Sequence, residues 1–310
     1  MVLLSFVIPC YRSENTIEMV INEIIDTVSQ REGYEYEIIA VNDSSPDNVY
    51  SVLKKLAKAN KKLKIINFAK NMGKPAAVLA GYSVITGDYV INLDDDYQCP
   101  VYELWKLLEL VENDKCDCAT AVYETKKESF VKRIGSNLNM WMGQIMLEKP
   151  KGLRLENFRV MKAFVAKEMI KYKKPYPYIE GLILRVTNRI MCVLMEERER
   201  GDNNRSGFTF RKSAALLMDG LTAFSVKPLR VASICGMLFA FIGFIYGIII
   251  IIRKMISPLV PIGYSSILCI ILFTSGLLML MLGIIGEYIG RVYICINDSP
   301  QYVIKETINL

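Results

Sequence analysis

Gly87-Asp88-Tyr89-Val90-Ile91-Asn92-Leu93-Asp94-Asp95-Asp96-Tyr97-Gln98 is an apolar, β-branched run that stops abruptly in three adjacent carboxylates. Such a run is a buried strand, and it delivers acid to its carboxyl end. In an open α/β sheet, ligands bind in the crevice outside that end. Two carboxylates one residue apart, Asp94 and Asp96, can face one Mg2+ or Mn2+ whose remaining positions take diphosphate oxygens. A charged, hydrated turn would show the same three residues, so the flanking sequence has to decide.

Working outward, Ser5 to Cys10 reads as a first short strand, and Ile17, Val20, Ile21, Ile24, Ile25 and Val28 recur at helical spacing within 16–29. Residues 36–41 form a second strand running into the polar turn Asn42-Asp43-Ser44-Ser45-Pro46-Asp47. A helix follows through Val49, Val52, Leu53 and Leu56, and then a third strand over 63–68. Asn71-Met72-Gly73-Lys74-Pro75 opens an apolar helix over 76–84, with Pro75 near its first position, where a missing N–H costs nothing. Strands alternating with helices imply a mostly parallel sheet. Its βα turns would gather Pro9-Cys10-Tyr11, Asp43 and the Asp94 to Gln98 segment at one edge.

The composition limits the rest. A hydrophobic content of 52% with a mean hydropathy of +0.26 is too apolar for a wholly soluble chain of 310 residues. The surplus lies in two uncharged runs, 231–252 and 262–285, of 22 and 24 residues, each long enough to cross about 30 Å of hydrocarbon at 1.5 Å per residue. Residues 1–9 lack a basic leading region and are broken by Pro9, so they read as a strand rather than a signal peptide. Lys227, Arg230 and Arg291 flank the spans in the sense that keeps the large leading part in the cytoplasm, against Arg253 and Lys254 in the connecting loop. The 8 cysteines are scattered without paired CxxC spacing, as in a reducing compartment and unlike a zinc site. With no histidine, Ser-His and Cys-His nucleophiles and His-ligated metals are excluded. Chemistry must rest on carboxylates, basic groups and a hard cation. The net charge of +6 suits anionic lipid or phosphate, and no nucleic-acid partner is expected.

The ordered segments VIPCYRSE, VNDSSPD, NMGKPAAVLAGY and GDYVINLDDDYQCP resemble the family 2 nucleotide-sugar glycosyltransferases of GT-A fold. The likeness continues through Asn157-Phe158-Arg159, the region 198–212, Phe224-Ser225-Val226-Lys227-Pro228-Leu229-Arg230 and Gly286-Glu287-Tyr288-Ile289-Gly290-Arg291. The last two stretches are similar to the branch that glycosylates polyprenyl phosphate, with dolichyl-phosphate mannose synthases and undecaprenyl-phosphate glucosyl- and aminoarabinosyltransferases. The resemblance implies an α/β GT-A domain over 1–212, an interfacial segment over 213–230, two membrane helices within 231–290 and a cytoplasmic tail over 291–310. It further implies a multi-pass protein of the inner (plasma) membrane with its catalytic domain in the cytoplasm, homo-oligomeric and by family likeness tetrameric.

By the same resemblance, Pro9, Tyr11, Glu14, Asp43, Lys74, Asp94 and Asp95 would line the UDP-sugar donor, with Asp43 accepting from uracil or ribose, although an Asx turn or helix cap is its ordinary role. Asp94, Asp96 and Gln98 would hold Mg2+ or Mn2+, while Asp95 would point elsewhere into solvent. The acceptor, polyprenyl phosphate, is already an anionic nucleophile and needs no strong base. Basic residues to hold it are Arg133, Arg159, Arg200, Arg205 and Lys212, with Arg198 also in the candidate set, through charge-assisted hydrogen bonds. Asp96, Arg159 and Glu180 are the expected catalytic positions, Glu180 equally suiting an ion pair with Arg185. Two departures stand out: the acidic D-x-G-x-F-R context of many relatives is here Leu155-Glu156-Asn157-Phe158-Arg159, and the Gly-x-Arg after the fifth strand is Val122-Tyr123-Glu124. Met140, Trp141, Met142, Ile145 and Met146 suit an amphipathic surface element or a packed core equally. The activity expected is inverting transfer of one sugar to the lipid phosphate. A processive polysaccharide synthase is disfavoured because Trp105 and Trp141 lack a Gln-x-x-Arg-Trp context, and a non-catalytic membrane-anchored sugar-nucleotide binder is disfavoured by the intact carboxylates.

Overall fold

The computed structural model describes residues 1–123, 153–175, 177–196, 198, isolated positions between 229 and 256, 263–297 and 300–310. Its first unit, Met1–Thr209 with Asp298–Leu310, is built on one sheet. In chain order the elements are β1 (Val2–Cys10), α1 (Ile17–Ser29), β2 (Tyr34–Asn42), α2 (Val49–Ala59), β3 (Leu63–Phe68), α3 (Lys74–Tyr82), β4 (Tyr89–Asn92), α4 (Leu104–Glu112), β5 (Cys118–Tyr123), β6 (Arg159–Lys162), α5 (Ala163–Met169), α6 (Ile179–Val186), β7 (Ile190–Met195) and, after the second unit, β8 (Ile304–Ile308). The described strands form a sheet of order β7-β5-β6-β4-β1-β2-β3-β8. Strands β4, β1, β2 and β3 pair in parallel, whereas β6 is antiparallel to β4 and β5, and β8 is antiparallel to β3.

Alternation along the strands separates two covered faces. Leu4, Phe6, Ile8, Ile38, Ala40, Ile65 and Ile91 pack with Ile17, Val20, Ile21 and Ile24 of α1, Leu53 of α2 and Leu104, Leu107 and Leu108 of α4. The opposite face carries Val7 and Val41, against which α3 lies so closely that a Cβ on Gly81 would sit 2.4 Å from Val7 Cγ1. Every residue of α3 from Ala76 to Tyr82 is buried, which explains its unbroken apolar sequence. At the amino end of the strands this face holds Glu37, whose carboxylate accepts from Ser5 Oγ (2.5 Å), Thr86 Oγ1 (2.8 Å) and Lys64 Nζ (2.6 Å). Gly87 follows because a Cβ there would lie 2.6 Å from the Leu3 carbonyl.

The strand β8 was expected to be tail. Instead Ile304–Ile308 pairs with β3, Tyr302 stacks on Phe68 at 5.4 Å, and Asn309 Nδ2 donates to the carbonyls of Ala57 and Leu63, both at 2.9 Å. The second unit, Phe210–Asn297, contains α7 (Tyr264–Ile296), a helix of 33 residues. Within it, Phe273–Ile296 is long and apolar enough to cross a membrane. The expected second span, 262–285, therefore lies in a longer helix that carries Glu287 and Arg291. In the first expected span, 231–252, the described positions are helical and the rest lie outside the described residues, as do nearly all of 213–230 and the Met140 to Met146 element.

Candidate functional site

Three βα turns are tied together at the carboxyl edge. The Asp43 N–H donates to the Cys10 carbonyl (3.1 Å), and Arg12, at φ 59°, turns its N–H to Ser45 Oγ (2.8 Å). Glu14 donates its N–H to Asp47 Oδ2 (3.0 Å) and accepts the Asn48 N–H on Oε2 (2.8 Å). Asp43, 3% exposed, accepts the Met72 N–H on Oδ1 (2.7 Å) and the Gly73 N–H on Oδ2 (2.8 Å). Burial raises its carboxyl pKa, and the two N–H donors oppose the shift. Its observed work is to hold the loop before α3, in which Gly73 takes φ 86° and so presents Lys74.

The carboxylate segment begins just past β4. Asp94 Oδ2 accepts from Asn157 Nδ2 (3.0 Å), while Oδ1 lies 2.5 Å from Lys74 Nζ, is closed from solvent and accepts no well-directed hydrogen bond. Asp95 does not point into solvent as expected. Its Oδ2 accepts the Tyr11 N–H (2.8 Å) and its carbonyl accepts Thr16 Oγ1–H (2.6 Å), so it braces the first turn. Burial, with the charges of Asp94 and Asp96 added, pushes the Asp95 carboxyl up to about 6. Asp96 Oδ1 accepts the Gln98 N–H (3.2 Å), and between them Tyr97 adopts φ 63°. Arg198 clamps that bend: it donates to both oxygens of Glu23 (2.7 and 2.6 Å), and its guanidinium lies 4.6 Å from the centroid of Tyr97 and 5.0 Å from that of Tyr102. Arg198 is thus committed within the fold rather than held out for phosphate.

Behind Asp94 a polar file runs into the second face of the sheet. Asn92 Nδ2 donates to the Asn157 carbonyl (3.0 Å), and Tyr82 O–H approaches Asn92 Oδ1 (3.4 Å). Arg159, paired across the strands with Asn92 and Thr120, is 2% exposed, and its Nε and Nη1 have no hydrogen-bond partner. Its charge opposes the upward push that burial gives the phenols of Tyr82 and Tyr178. Tyr178 also shares a hydrogen bond with Glu180, at the start of α6. Arg133, Arg200, Arg205 and Lys212 lie outside the described residues.

The structure therefore brings Pro9, Tyr11, Glu14, Asp43, Lys74, Asp94, Asp95, Asp96 and Gln98 to one edge. Sequence reasoning missed Asn157 and Glu23. Asn157 had a signal only in adjoining Phe158-Arg159 in the family-like stretch; Glu23 had none, being one more charge on an amphipathic helix. No group of three or more Cys, Asp and Glu side chains forms a closed metal cage among the described residues. An open pair of carboxylates suits a cation that takes its other ligands from substrate and water.

Residues 5–168 match the profile of glycosyl transferase family 2, more than half of the chain. The chain belongs to that family. Residues 227–292 match a second profile, the GtrB C-terminal hairpin. Among curated relatives, it is 32% identical over 310 residues to the uncharacterized glycosyltransferase YkcC of Bacillus subtilis, covering 98% of this chain and 93% of that protein. The prophage bactoprenol glucosyl transferase homolog of Escherichia coli is 29% identical over 307 residues, covering 97% and 98%. Among solved structures, mannosyl-3-phosphoglycerate synthase from Rubrobacter xylanophilus matches with a TM-score of 0.55 at 18% identity, covering 74% of each chain. That likeness shows the fold alone, and it agrees with a GT-A-like α/β sheet. The protein is a glycosyltransferase.

Proposed function

We propose that this glycosyltransferase moves a single sugar from a UDP-sugar to polyprenyl phosphate at the cytoplasmic membrane face, with inversion at the anomeric carbon. Relatives named as bactoprenol glucosyl transferases, matched over nearly their whole length, support the acceptor class. The observation that carries the site is the pair of carboxylates Asp94 and Asp96 at the edge where three βα turns meet, with the buried Oδ1 of Asp94 matched only by the ammonium of Lys74. A buried carboxylate oxygen whose one partner is a half-exposed cationic side chain fits a hard cation, so Asp94, Asp96 and Gln98 would hold Mg2+ or Mn2+. When bound, the cation neutralises the leaving diphosphate. Lys74, at the first turn of α3, adds a positive charge for the same phosphates.

The chain's own residues do the remainder. Asp95 and Asp43 fix the backbone of the first and third turns by accepting their N–H groups, so the donor meets a preorganised edge. A phosphate oxygen of the acceptor forms the new bond to C1 as the bond from C1 to the UDP oxygen breaks, and the electron pair leaves with UDP. The acceptor is already anionic, so Glu180 need not remove a proton; hydrogen-bonded to Tyr178, it serves better to shape the second face. Arg133, Arg200, Arg205 and Lys212 would hold the acceptor phosphate, and Arg159 would act from within the fold. Two membrane helices, within 231–252 and 264–296, anchor the domain, in keeping with the matched hairpin.

Mass spectrometry of the lipid formed from a panel of UDP-sugars tests the reading, with UDP release measured in the presence and absence of polyprenyl phosphate. UDP release that depends on the lipid, and falls by at least two orders of magnitude in Asp96→Asn, is the expected result. Full activity in EDTA, or an undiminished Asp96→Asn variant, removes the metal assignment.

A further inference from the structure

The ion pair between Lys74 and Asp94 occupies the carboxylate oxygen that the proposed cation needs. Asp94 has two oxygens, and the amide of Asn157 holds Oδ2 while the ammonium of Lys74 sits 2.5 Å from Oδ1. A neutral amide can share a carboxylate with a metal. An ammonium 2.5 Å from an oxygen that also binds a divalent cation at about 2.0–2.2 Å would stand about 4 Å from that cation, where the repulsion between them favours its departure. The two partners also differ in freedom. Asn157 is fixed through its own carbonyl to Asn92 Nδ2. The Lys74 side chain is 43% exposed on a flexible stem at the start of α3.

Resting on the metal and nucleotide reading above, we propose that Lys74 is the resident counter-ion of Asp94 in the ligand-free protein. A divalent cation displaces it, and the freed ammonium then pairs with the diphosphate of the donor. One side chain thereby couples the two ligands. Metal arriving alone must evict Lys74 and offers it nothing in return. Metal arriving with a nucleoside diphosphate supplies the evicted charge with a new anionic partner. By linkage, each ligand raises the affinity of the other by the same factor.

This exchange makes a specific requirement, that removing Lys74 tighten metal binding without nucleotide and lose that advantage once nucleotide is bound. The experiment titrates full-length protein in detergent with Mn2+, following free Mn2+ by electron paramagnetic resonance, with and without saturating UDP. Wild type is compared with Lys74→Met and Lys74→Gln, half-exposed substitutions that leave the core untouched. Mn2+ alone should bind the variants about two- to fivefold more tightly, the range a partly exposed ion pair supports. In saturating UDP that advantage should be lost, because the wild-type ammonium already has the diphosphate as its partner, and an advantage that persists undiminished overturns the exchange. Unchanged or weakened binding of Mn2+ alone in both variants overturns the exchange and leaves the metal site standing. Absence of Mn2+ binding to wild type, or binding indifferent to Asp96→Asn, overturns the metal reading and the exchange with it.

Discussion

Asp43 shows how a residue can be found for one reason and used for another. Its position after β2 marks it from sequence, yet both its oxygens take backbone N–H groups from Met72 and Gly73. In Asp43→Asn the amide NH2 must face one of those donors, leaving a buried N–H unsatisfied at about 1–3 kcal/mol. UDP affinity should fall by about tenfold or more through the displaced Lys74 loop, and isothermal titration with UDP reads this directly. The place of Asp94 and Asp96 at the carboxyl edge was legible only through the ordered βα segments around them, since acidic turns are common. The roles of Asp95 and Arg198 were not, because they depend on partners remote in sequence: Asp95 meets Tyr11 and Arg198 meets Glu23. Alternation suggested a solvated Asp95, but an N–H exposed by the end of β1 needs an acceptor and takes this one. In Arg198→Lys the stacked, two-pronged contact is lost. The Tyr97 bend should loosen, with kcat falling several-fold while the described sheet keeps its far-ultraviolet circular dichroism.

The four central strands and the helices between them follow from period and punctuation, and their predicted limits fall within two or three residues of those observed. Strand β8 escaped because IKETI is short, half-charged and separated by the whole membrane segment from its partner β3. An edge strand exposed on most positions needs little apolar content, so no pattern betrays it. Removing residues 300–310 uncovers the β3 edge and loses the Tyr302 stack, the Asn309 bonds and the link from Glu306 to Tyr50 and Lys54. A loss of about 3 kcal/mol would lower the apparent melting temperature by about 10 °C, with aggregation from the bared edge, as light scattering during a thermal ramp would show. At the opposite end of the strands, Glu37 ties β1, β2 and β3. Burial raises its pKa, but Lys64, Ser5 and Thr86 outweigh burial and bring it below the ordinary carboxylate value. A depressed folded pKa contributes stability above the unfolded value of about 4.3, and that contribution is lost as pH falls through the folded value. Glu37→Gln should therefore cost about 3 kcal/mol near pH 7 in urea unfolding, with the gap to wild type narrowing below about pH 4.

At the scale of the molecule, β8 also constrains topology. Residues 304–308 pair with β3, so the chain after α7 returns to the side on which the sheet lies. A chain that leaves β7 and returns to that sheet must cross a membrane an even number of times. If α7 crosses, carrying Phe273–Ile296 as its apolar stretch, one more crossing must occur between Met195 and Tyr264. The uncharged run 231–252 is the segment there of sufficient length, and both fall within the matched hairpin profile. With α7 in the membrane, the pairing of β8 with β3 would thus require the second of the two spans that the uncharged runs predict. Single cysteines placed at Ser257 and Glu306, in a background without the native ones, should separate the two sides. An impermeant maleimide added to intact cells should label position 257, whereas position 306 should react only after lysis, as the catalytic domain would. Labelling of position 306 in intact cells would break the parity and place α7 outside the membrane or the sheet on the far side.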